Sequence, residues 1–379
     1  MASSDDPRRI APLPIAERIG ADPRFTGKGV VAAFLDAGFY AHPDLTRPTS
    51  RILAYENLIH GFRGVEHLEH PEPSSWHGMM SSVVAAGNGS LSDGRFRSLA
   101  PELELVLVKV GNMSRVSHDD ITRGIEWVLE NRERYNIRIL NVSCGGDYAA
   151  SHLTDTLSRM TEAAIRAGIV VVAAVGNQGH KPHHILPPAS VPAAISVGGV
   201  DDRGNPRLGR VTHYRSSYGL TVDGVAKPEV ITLADWLAAP ILPGTPTAEQ
   251  AALLERLDAA PDEELAAIIR ASPGVFHSLD EAANRQPYLL RQLINAGLRD
   301  ALVINEHYKV VDGTSFAAPI VTSVVAQMLE ANPSLNPQQV KRILMQTARR
   351  LNTVELERQG YGAIQPRLAV ERALRMTTN

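Results

Sequence analysis

The stretch that decides the fold of this chain is DGTSFAAP at residues 312–319, read together with two segments far upstream. One segment is VVAAFLDAG at residues 30–38, and the other is HGM at residues 77–79. Together they supply a hydroxyl, a carboxylate and an imidazole, each beside a glycine or another small residue. Attack by a serine on a carbonyl needs a nucleophile, a base that takes its proton, and a carboxylate that holds the base in one tautomer. One such residue alone does not indicate this chemistry, but all three in recognisable settings are a specific signal for it.

A run typical of a buried strand precedes each of two candidate residues, Asp36 and Asn177. The uncharged run VVAAFL at residues 30–35 is typical of a strand buried on both faces of a parallel sheet, and Asp36 ends it. Open α/β sheets place their sites at such carboxyl ends, although a turn or helix N-cap explains Asp36 equally well. A second buried run at residues 168–174 leads to Asn177 on a glycine-flanked turn. Its amide suits an oxyanion donor, but turn asparagines are common.

Small-residue helices follow the other two candidates. Residues 77–87 predict a buried helix that begins at His77 and ends at Gly87. Residues 315–329 predict another, where helix N–H groups near Ser315 can stabilise an anion, a role compatible with an N-cap. Strands alternating with helices predict an α/β fold with a doubly wound, mostly parallel sheet flanked by helices.

These motifs resemble, in order, those of the subtilisin-like serine endopeptidases (the subtilases, peptidase family S8). The resemblance spans almost the whole chain and implies one peptidase domain over residues 1–379. It rests on the segments already quoted and on further ones at 27–29, 42–45, 99–110, 139–146, 188–200, 227–230 and 361–370.

The resemblance also implies the role of each site residue. Ser315 is the nucleophile, His77 the general base and then acid, and Asp36 the residue that orients the imidazole. The oxyanion hole is formed by Asn177 and the Ser315 backbone N–H. The substrate-binding residues it implies are Ser143, Cys144 and Gly145, which pair with the substrate backbone as an added strand, and Ala174, Val175 and Gly176, which line the pocket.

The chain departs from the family pattern at three positions. Ala37 and Met79 stand where the family usually has Thr or Ser, and Asp312 stands where it usually has Ser. An uncompensated negative charge at Asp312 would raise the pKa of His77. If Leu186 reaches the pocket, it favours small or medium substrate side chains.

The composition limits the classes of partner that the protein is expected to bind. Lys and Arg number 38 against 41 Asp and Glu, which gives a net charge of -3 and no reason to invoke nucleic acid or a membrane. The expected partner is a protein or peptide substrate. No cofactor is expected for the chemistry and no metal site is assigned, since histidines 60, 67, 70, 180, 183 and 184 fit solvated loops better; structural calcium is left open.

The amino terminus and the cysteine count favour a cytoplasmic protein. The first nine residues lack an apolar segment typical of a signal peptide, and the single cysteine, Cys144, excludes an intrachain disulfide. A chain trimmed to its mature form remains the alternative. We interpret Cys144 as a small buried apolar residue rather than a redox group.

One segment does not fit the family pattern. Residues 246–305 predict a helical insertion, with capping boxes at Thr247 and Ser278 and helix starts at Pro261 and Pro287. The insertion is either a tolerated surface addition or a lid or docking module for a regulatory protein.

The sequence thus predicts a serine endopeptidase that acts through an acyl-enzyme, with its insertion as a candidate regulatory element. The alternative is a non-catalytic peptide-binding regulator with the same fold.

Overall fold

A computed structural model describes residues 12–112, 116–205 and 211–376. These fall into two compact units, residues 13–237 with 312–376 and residues 238–311 with Pro12. The strands are β1 (Val31–Asp36), β2 (Ile52–Asn57), β3 (Phe62–Arg63), β4 (Glu104–Lys109), β5 (Ile137–Val142), β6 (Val170–Ala174), β7 (Ile195–Asp201), β8 (Thr212–His213), β9 (Gly219–Leu220), β10 (Ala226–Lys227), β11 (Val230–Leu233), β12 (Leu237–Pro240) and β13 (Tyr308–Val311).

The α-helices complete the list of elements. They are α1 (Ile15–Ile19), α2 (Pro43–Thr46), α3 (Ser75–Ala86), α4 (His118–Tyr135), α5 (Thr156–Arg166), α6 (Pro246–Ala259), α7 (Leu265–Arg270), α8 (His277–Ala282), α9 (Pro287–Asp300), α10 (Thr314–Ala331), α11 (Pro337–Thr347), α12 (Leu356–Gln359) and α13 (Pro366–Arg375). Among the described residues, no helix is both long and apolar enough to cross a bilayer.

The larger unit is built on a nine-stranded sheet in the order β11-β7-β6-β5-β1-β4-β2-β3, with β8 paired to β7. The pairs are parallel except β2 with β3 and β7 with β8. The predicted fold class, a mostly parallel sheet flanked by helices, is confirmed. Every residue of β1 is buried, as the uncharged run at residues 30–35 predicts.

Register brings three chain segments to one edge of the sheet. Leu35 of β1 pairs with Val142 of β5, and Val142 pairs in turn with Ala173 of β6. Because these strands are parallel neighbours, the residues that follow them leave the sheet at the same edge. Asp36, the substrate-strand segment after β5 and the turn after β6 therefore lie near one another.

Two helices begin slightly earlier than the sequence predicts. The helix predicted from His77 begins at Ser75, and the one predicted from Ser315 begins at Thr314 and continues to Ala331. The candidate residues thus lie in the first turns of α3 and α10, not at their first positions.

A cluster of buried charges joins the segment between β10 and β11 to α11. The ammonium groups of Lys227 and Lys341 both donate to Glu229 Oε1 at 2.7 Å, and Ser196 donates its backbone N–H to Oε2 at 2.8 Å. Lys227 also donates to the Val191 carbonyl at 2.8 Å. Burial lowers the pKa of Lys227 to about 8 against the opposing effect of Glu229. These bonds fix residues 227–229 to Ser196 of β7 and to Lys341 of α11.

The smaller unit has its own apolar core. Helices α6 to α9 contribute Leu254, Leu265, Leu279 and Ile294 to it, all almost fully buried. Strands β12 and β13 form a two-stranded sheet at the two ends of the unit, and next to it the Ile241 N–H donates to the His307 carbonyl at 2.8 Å.

The helix caps of this unit correct two predictions. The cap of α6 is Thr245, whose hydroxyl accepts from the Ala248 N–H, so the capping box at Thr247 is wrong. Ser278 lies inside α8 and its side chain caps nothing, because the helix begins at His277. The start of α9 at Pro287 is confirmed. Pro261 precedes a short 3-10 turn, and α7 begins only at Leu265.

Candidate active site

Asp36 and His77 form a direct hydrogen-bonded pair. Asp36 ends β1, and His77 lies in the first turn of α3. The imidazole Nδ1 is 2.9 Å from each carboxylate oxygen of Asp36. The neutral ring therefore donates its Nδ1 proton to Asp36, which leaves Nε2 as a proton acceptor. The Asp36 side chain is 3% exposed and that of His77 is 22% exposed, so the acid is enclosed while the base can be reached.

Close backbone contact makes this pairing possible. A Cβ at position 78 would collide with the Gly38 carbonyl oxygen and the Phe39 ring, so only glycine fits directly after His77. Gly38 and Gly78, one from each sequence motif, have the same structural role, because together they let α3 lie against the end of β1.

The charge state of His77 follows from two opposing effects. Burial by itself lowers the pKa of the imidazole. The negative charge of Asp36 and its hydrogen bond act in the other direction and prevail, so the pKa of His77 lies above its ordinary value of 6.5.

Asp312 does not disturb this balance. Its carboxylate accepts from the Tyr214 hydroxyl at 2.6 Å and from Arg215 at 2.8 Å. Among the described residues, Asp36 is the one that shifts the pKa of His77, against the effect of burial. Asp312, which departs from the family pattern, thus has compensating partners of its own that could not be found from the sequence.

Ser315 lies in the first turn of α10, next to the end of β5. Its hydroxyl donates to the Ser143 carbonyl at 3.2 Å, and the Ser143 hydroxyl donates to the Ser315 carbonyl at 2.9 Å. The ring of Phe316 is 5.8 Å from the His77 ring, so the start of α10 faces the imidazole. Among the described residues, no hydrogen bond joins Ser315 to His77. Catalytic hydrogen bonds are often formed only when substrate is bound.

The side chain of Asn177 is oriented by Thr314. Asn177 Oδ1 accepts from the backbone N–H of Thr314 at 2.9 Å and from its hydroxyl at 3.0 Å. With the amide oxygen held in this way, the NH₂ group is the part of Asn177 left to donate. The Ser315 N–H lies in the first turn of a helix, where backbone N–H groups lack partners within the helix. Two donors are thus available beside the Ser315 hydroxyl.

A pocket of about 270 Å³ opens beside Ser315. It is lined by all six predicted substrate-binding residues, Ser143, Cys144, Gly145, Ala174, Val175 and Gly176, and by Asn177, Thr314 and Ser315. Leu186 also lines it, as the sequence left open. None of the described residues that line the pocket is acidic. Burial raises the pKa of the Cys144 thiol, which suits an inert wall residue better than a nucleophile.

Several residues at this site were missed by sequence reasoning. Ser81 lies four positions after His77 on α3, and its hydroxyl is 3.4 Å from Asp36 Oδ2. Helical spacing could have indicated it. The pocket residues Gln178, His183 and Ser217 lie on loops, and nothing in their local sequence marks them.

The described residues contain no group of three or more His, Cys, Asp or Glu side chains arranged to hold a metal ion.

Comparison with known proteins places the chain in a family. The subtilase family model matches residues 27–362, so the chain belongs to the subtilase family. It is 29% identical over 326 residues to the serine protease AprX of Bacillus subtilis (strain 168), covering 84% of this chain and 61% of AprX. It is 32% identical over 203 residues to subtilisin BL of Lederbergia lenta, covering 53% of this chain and 64% of the relative. The matches thus span less than two thirds of each relative.

Solved structures agree on the fold. The CspB protease of Clostridium perfringens superposes with a TM-score of 0.67 at 14% identity, covering 96% of this chain and 98% of that one. A protease of Pseudoalteromonas arctica PAMC 21717 gives a TM-score of 0.63 at 21% identity, covering 95% and 93%. The sequence-based recognition of the family is confirmed.

Proposed function

We propose that this protein is a serine endopeptidase that hydrolyses peptide bonds through an acyl-enzyme. The observation that carries the proposal is the hydrogen bond from His77 Nδ1 to Asp36, which leaves Nε2 available at the face toward the first turn of α10, where Ser315 lies. The pocket beside Ser315 and the name of the relative AprX support the same activity.

The proposed reaction begins at the Ser315 hydroxyl. The hydroxyl leaves the Ser143 carbonyl, gives its proton to His77 Nε2, and its oxygen bonds to the substrate carbonyl carbon. The carbonyl electron pair moves onto oxygen, where the Asn177 amide and the Ser315 N–H stabilise it. Collapse breaks the carbon–nitrogen bond, and His77 returns the proton to the departing amine.

Water completes the cycle. It loses a proton to His77 Nε2 and attacks the acyl carbon, and the ester bond to Ser315 then breaks as the proton returns to Oγ. Asp36 keeps its charge throughout and stabilises the imidazolium. The chemistry uses only these side chains, backbone N–H groups and water.

A fluorophosphonate probe tests the proposal directly. We expect one covalent adduct on Ser315, located by peptide mass mapping, and none on the Ser315→Ala protein. Hydrolysis of a peptide library should give fragments with free new termini. Folded protein that forms no adduct and cleaves no peptide would instead support the non-catalytic peptide-binding regulator. The observation that favours this alternative is the hydrogen bond from the Ser315 hydroxyl to the Ser143 carbonyl, because the hydroxyl is bonded there and not to His77.

We also propose that the helical insertion regulates access to substrate or recruits a regulatory protein. The insertion has its own core, and β13 ends at Val311, four positions before Ser315 in the chain. A conformational change in the insertion is therefore connected covalently to the segment that carries the nucleophile. The cytoplasmic location stays a proposal, which cell fractionation would test.

The pairing of β12 with β13 suits a deletion of the insertion. Because the Ile241 N–H and the His307 carbonyl are hydrogen-bonded, a short Gly/Ser linker can replace residues 246–305 without separating the two strands. We expect the deletion to change the cleavage rate of a folded protein more than that of a dipeptide ester. Equal rates for both substrate sizes in parent and deletion variant would show that the insertion has no regulatory role.

A further inference from the structure

His118 holds the segment that follows the substrate-binding strand. It is the first residue of α4, and 4% of its surface is exposed. Its Nδ1 accepts the Asp147 N–H at 2.7 Å, while its own backbone N–H donates to Asp147 Oδ2 at 3.1 Å. The ring stacks on Tyr148 with centroids 3.8 Å apart and planes within 1° of parallel. Two hydrogen bonds and one ring contact thus join α4 to residues 147 and 148.

The same imidazole sets the path of Gly146. A Cβ at position 146 would collide with the His118 ring, so the backbone passes directly against the imidazole. The Gly146 N–H donates to the Pro187 carbonyl at 2.8 Å, and Gly146 itself lines the pocket beside Ser315. The position of the strand's exit therefore depends on His118.

Only one protonation state of His118 fits these contacts. Because Nδ1 accepts a hydrogen bond from an N–H group, it carries no proton, and the proton of the neutral ring is on Nε2. That nitrogen is buried without a hydrogen-bond partner among the described residues, 3.7 Å from Asp155 Oδ1. A second proton on Nδ1 would face the Asp147 N–H and remove its acceptor.

Several charged and aromatic side chains lie near the His118 ring or on its own helix. Asp155 caps α5 and accepts the Ser158 N–H through Oδ2 at 2.7 Å, and its Oδ1 faces His118 Nε2. Asp147 and Tyr148 face the ring from the segment after β5, and Asp120 lies on His118's own helix, occupied by Ser117 and Arg123. Asp155 is thus the carboxylate that lies beside Nε2, while Nδ1 is already bonded to the Asp147 N–H.

We propose that His118 is a positioning residue for extended substrates and acts only as a neutral imidazole with its proton on Nε2. The proposal rests on the proposed peptidase function. The Ser143 carbonyl marks the reacting end of the strand, since it accepts from Ser315 Oγ. Asp147 lies four residues farther along, so its displacement affects substrate residues remote from the cleaved bond. Loss of the Nδ1 acceptor therefore weakens the binding of long peptides and leaves short esters unaffected.

Two matched variants separate the hydrogen bond from the ring. His118→Phe keeps the ring stacked on Tyr148 but removes the acceptor. We expect it to raise KM for a hexapeptide about tenfold, the effect of one unsatisfied hydrogen bond, with kcat within twofold. His118→Asn keeps an acceptor near the position of Nδ1. It should keep the parent KM for the hexapeptide, so the conservative variant rescues what His118→Phe loses.

A measurement without turnover separates this proposal from the peptidase proposal. Imidazole ¹⁵N spectra should show the Nε2–H tautomer, and amide exchange at Asp147 should be faster in His118→Phe than in the parent or in His118→Asn. Absence of hydrolysis in every variant would count against the peptidase function alone. An active His118→Phe variant with the parent KM for the hexapeptide, or an Nδ1–H tautomer, would overturn the role of His118.

Discussion

Two buried clusters of charge in the larger unit contrast in how completely they are bonded. In the cluster of Lys227, Glu229 and Lys341, both ammonium groups donate to Glu229, and the second carboxylate oxygen accepts from Ser196. In the pair of Asp36 and His77, one imidazole nitrogen is bound to the carboxylate. The other has no hydrogen bond to any described residue.

The difference indicates what each cluster contributes. A fully bonded buried cluster stabilises one conformation, and removing a member leaves a charge without its partner. An imidazole with one nitrogen fixed and one available can move a proton, as can the Ser315 hydroxyl and the Asn177 amide beside it. Variants of the first cluster should therefore change stability, and variants of the second should change turnover.

The largest expected effect is that of Ser315→Ala on turnover. Without the hydroxyl no acyl-enzyme forms, and kcat should fall by about 10⁶-fold. The change removes one oxygen, so the thermal unfolding midpoint should stay within a few degrees of the parent. Steady-state hydrolysis of a peptide amide measures the first quantity and calorimetry the second. A variant that kept one hundredth of the parent rate would assign the nucleophile elsewhere.

Asp36→Asn should have the next largest effect, because it removes the charge that orients and stabilises the imidazolium. We expect kcat to fall about 10⁴-fold. The pKa of His77 should also fall, since Asp36 is what raises it. In the parent, kcat/KM should decrease as the pH falls through a value above 6.5, and in the variant this decrease should move to lower pH. Rate profiles between pH 5 and 9 measure the shift. Coincident profiles would contradict the assigned role of Asp36.

Asn177→Ala tests the amide donor. Its loss should lower kcat by about 10²- to 10³-fold with little change in KM, because the amide acts mainly on the transition state. Thr314→Val removes one of the two hydrogen bonds that hold Asn177 Oδ1 and should lower kcat about tenfold. If Asn177→Ala raised KM and left kcat unchanged, the residue would belong to substrate binding.

Glu229→Gln sharpens the comparison from the other side. The variant leaves the Lys227 and Lys341 charges beside a neutral amide, so the free energy of unfolding should fall by about 3–5 kcal/mol. The activity of the folded fraction should stay within twofold, because none of these residues lines the pocket. Urea unfolding measures the loss of stability. A large fall in kcat with unchanged stability would erase the distinction between the two clusters.

The sequence was sufficient for the elements and their order. The uncharged run ending at Asp36, the small-residue helices after His77 and Ser315, and the turn at Asn177 all lie in elements of the predicted type. Helix starts were less accurate. Thr245, not Thr247, caps α6, because the cap depends on where Pro246 enters the first turn.

Partners across long sequence distances could not be predicted. Nothing near Asp312 in the chain indicates that Tyr214 and Arg215 compensate its charge. Likewise, His118 and Asp147 lie in separate segments, and only packing shows that an imidazole nitrogen accepts the Asp147 N–H.

The sequence by itself determined the family, the order of strands and helices, and which side chains have the chemistry for catalysis. Local hydrophobic patterns and glycine positions encode these properties, and they act over a few residues. The tertiary structure alone decided which atoms meet: the Ser315 hydroxyl with the Ser143 carbonyl, and Thr314 with the amide oxygen of Asn177. Such contacts depend on sheet register and helix packing, because these bring together residues more than a hundred positions apart.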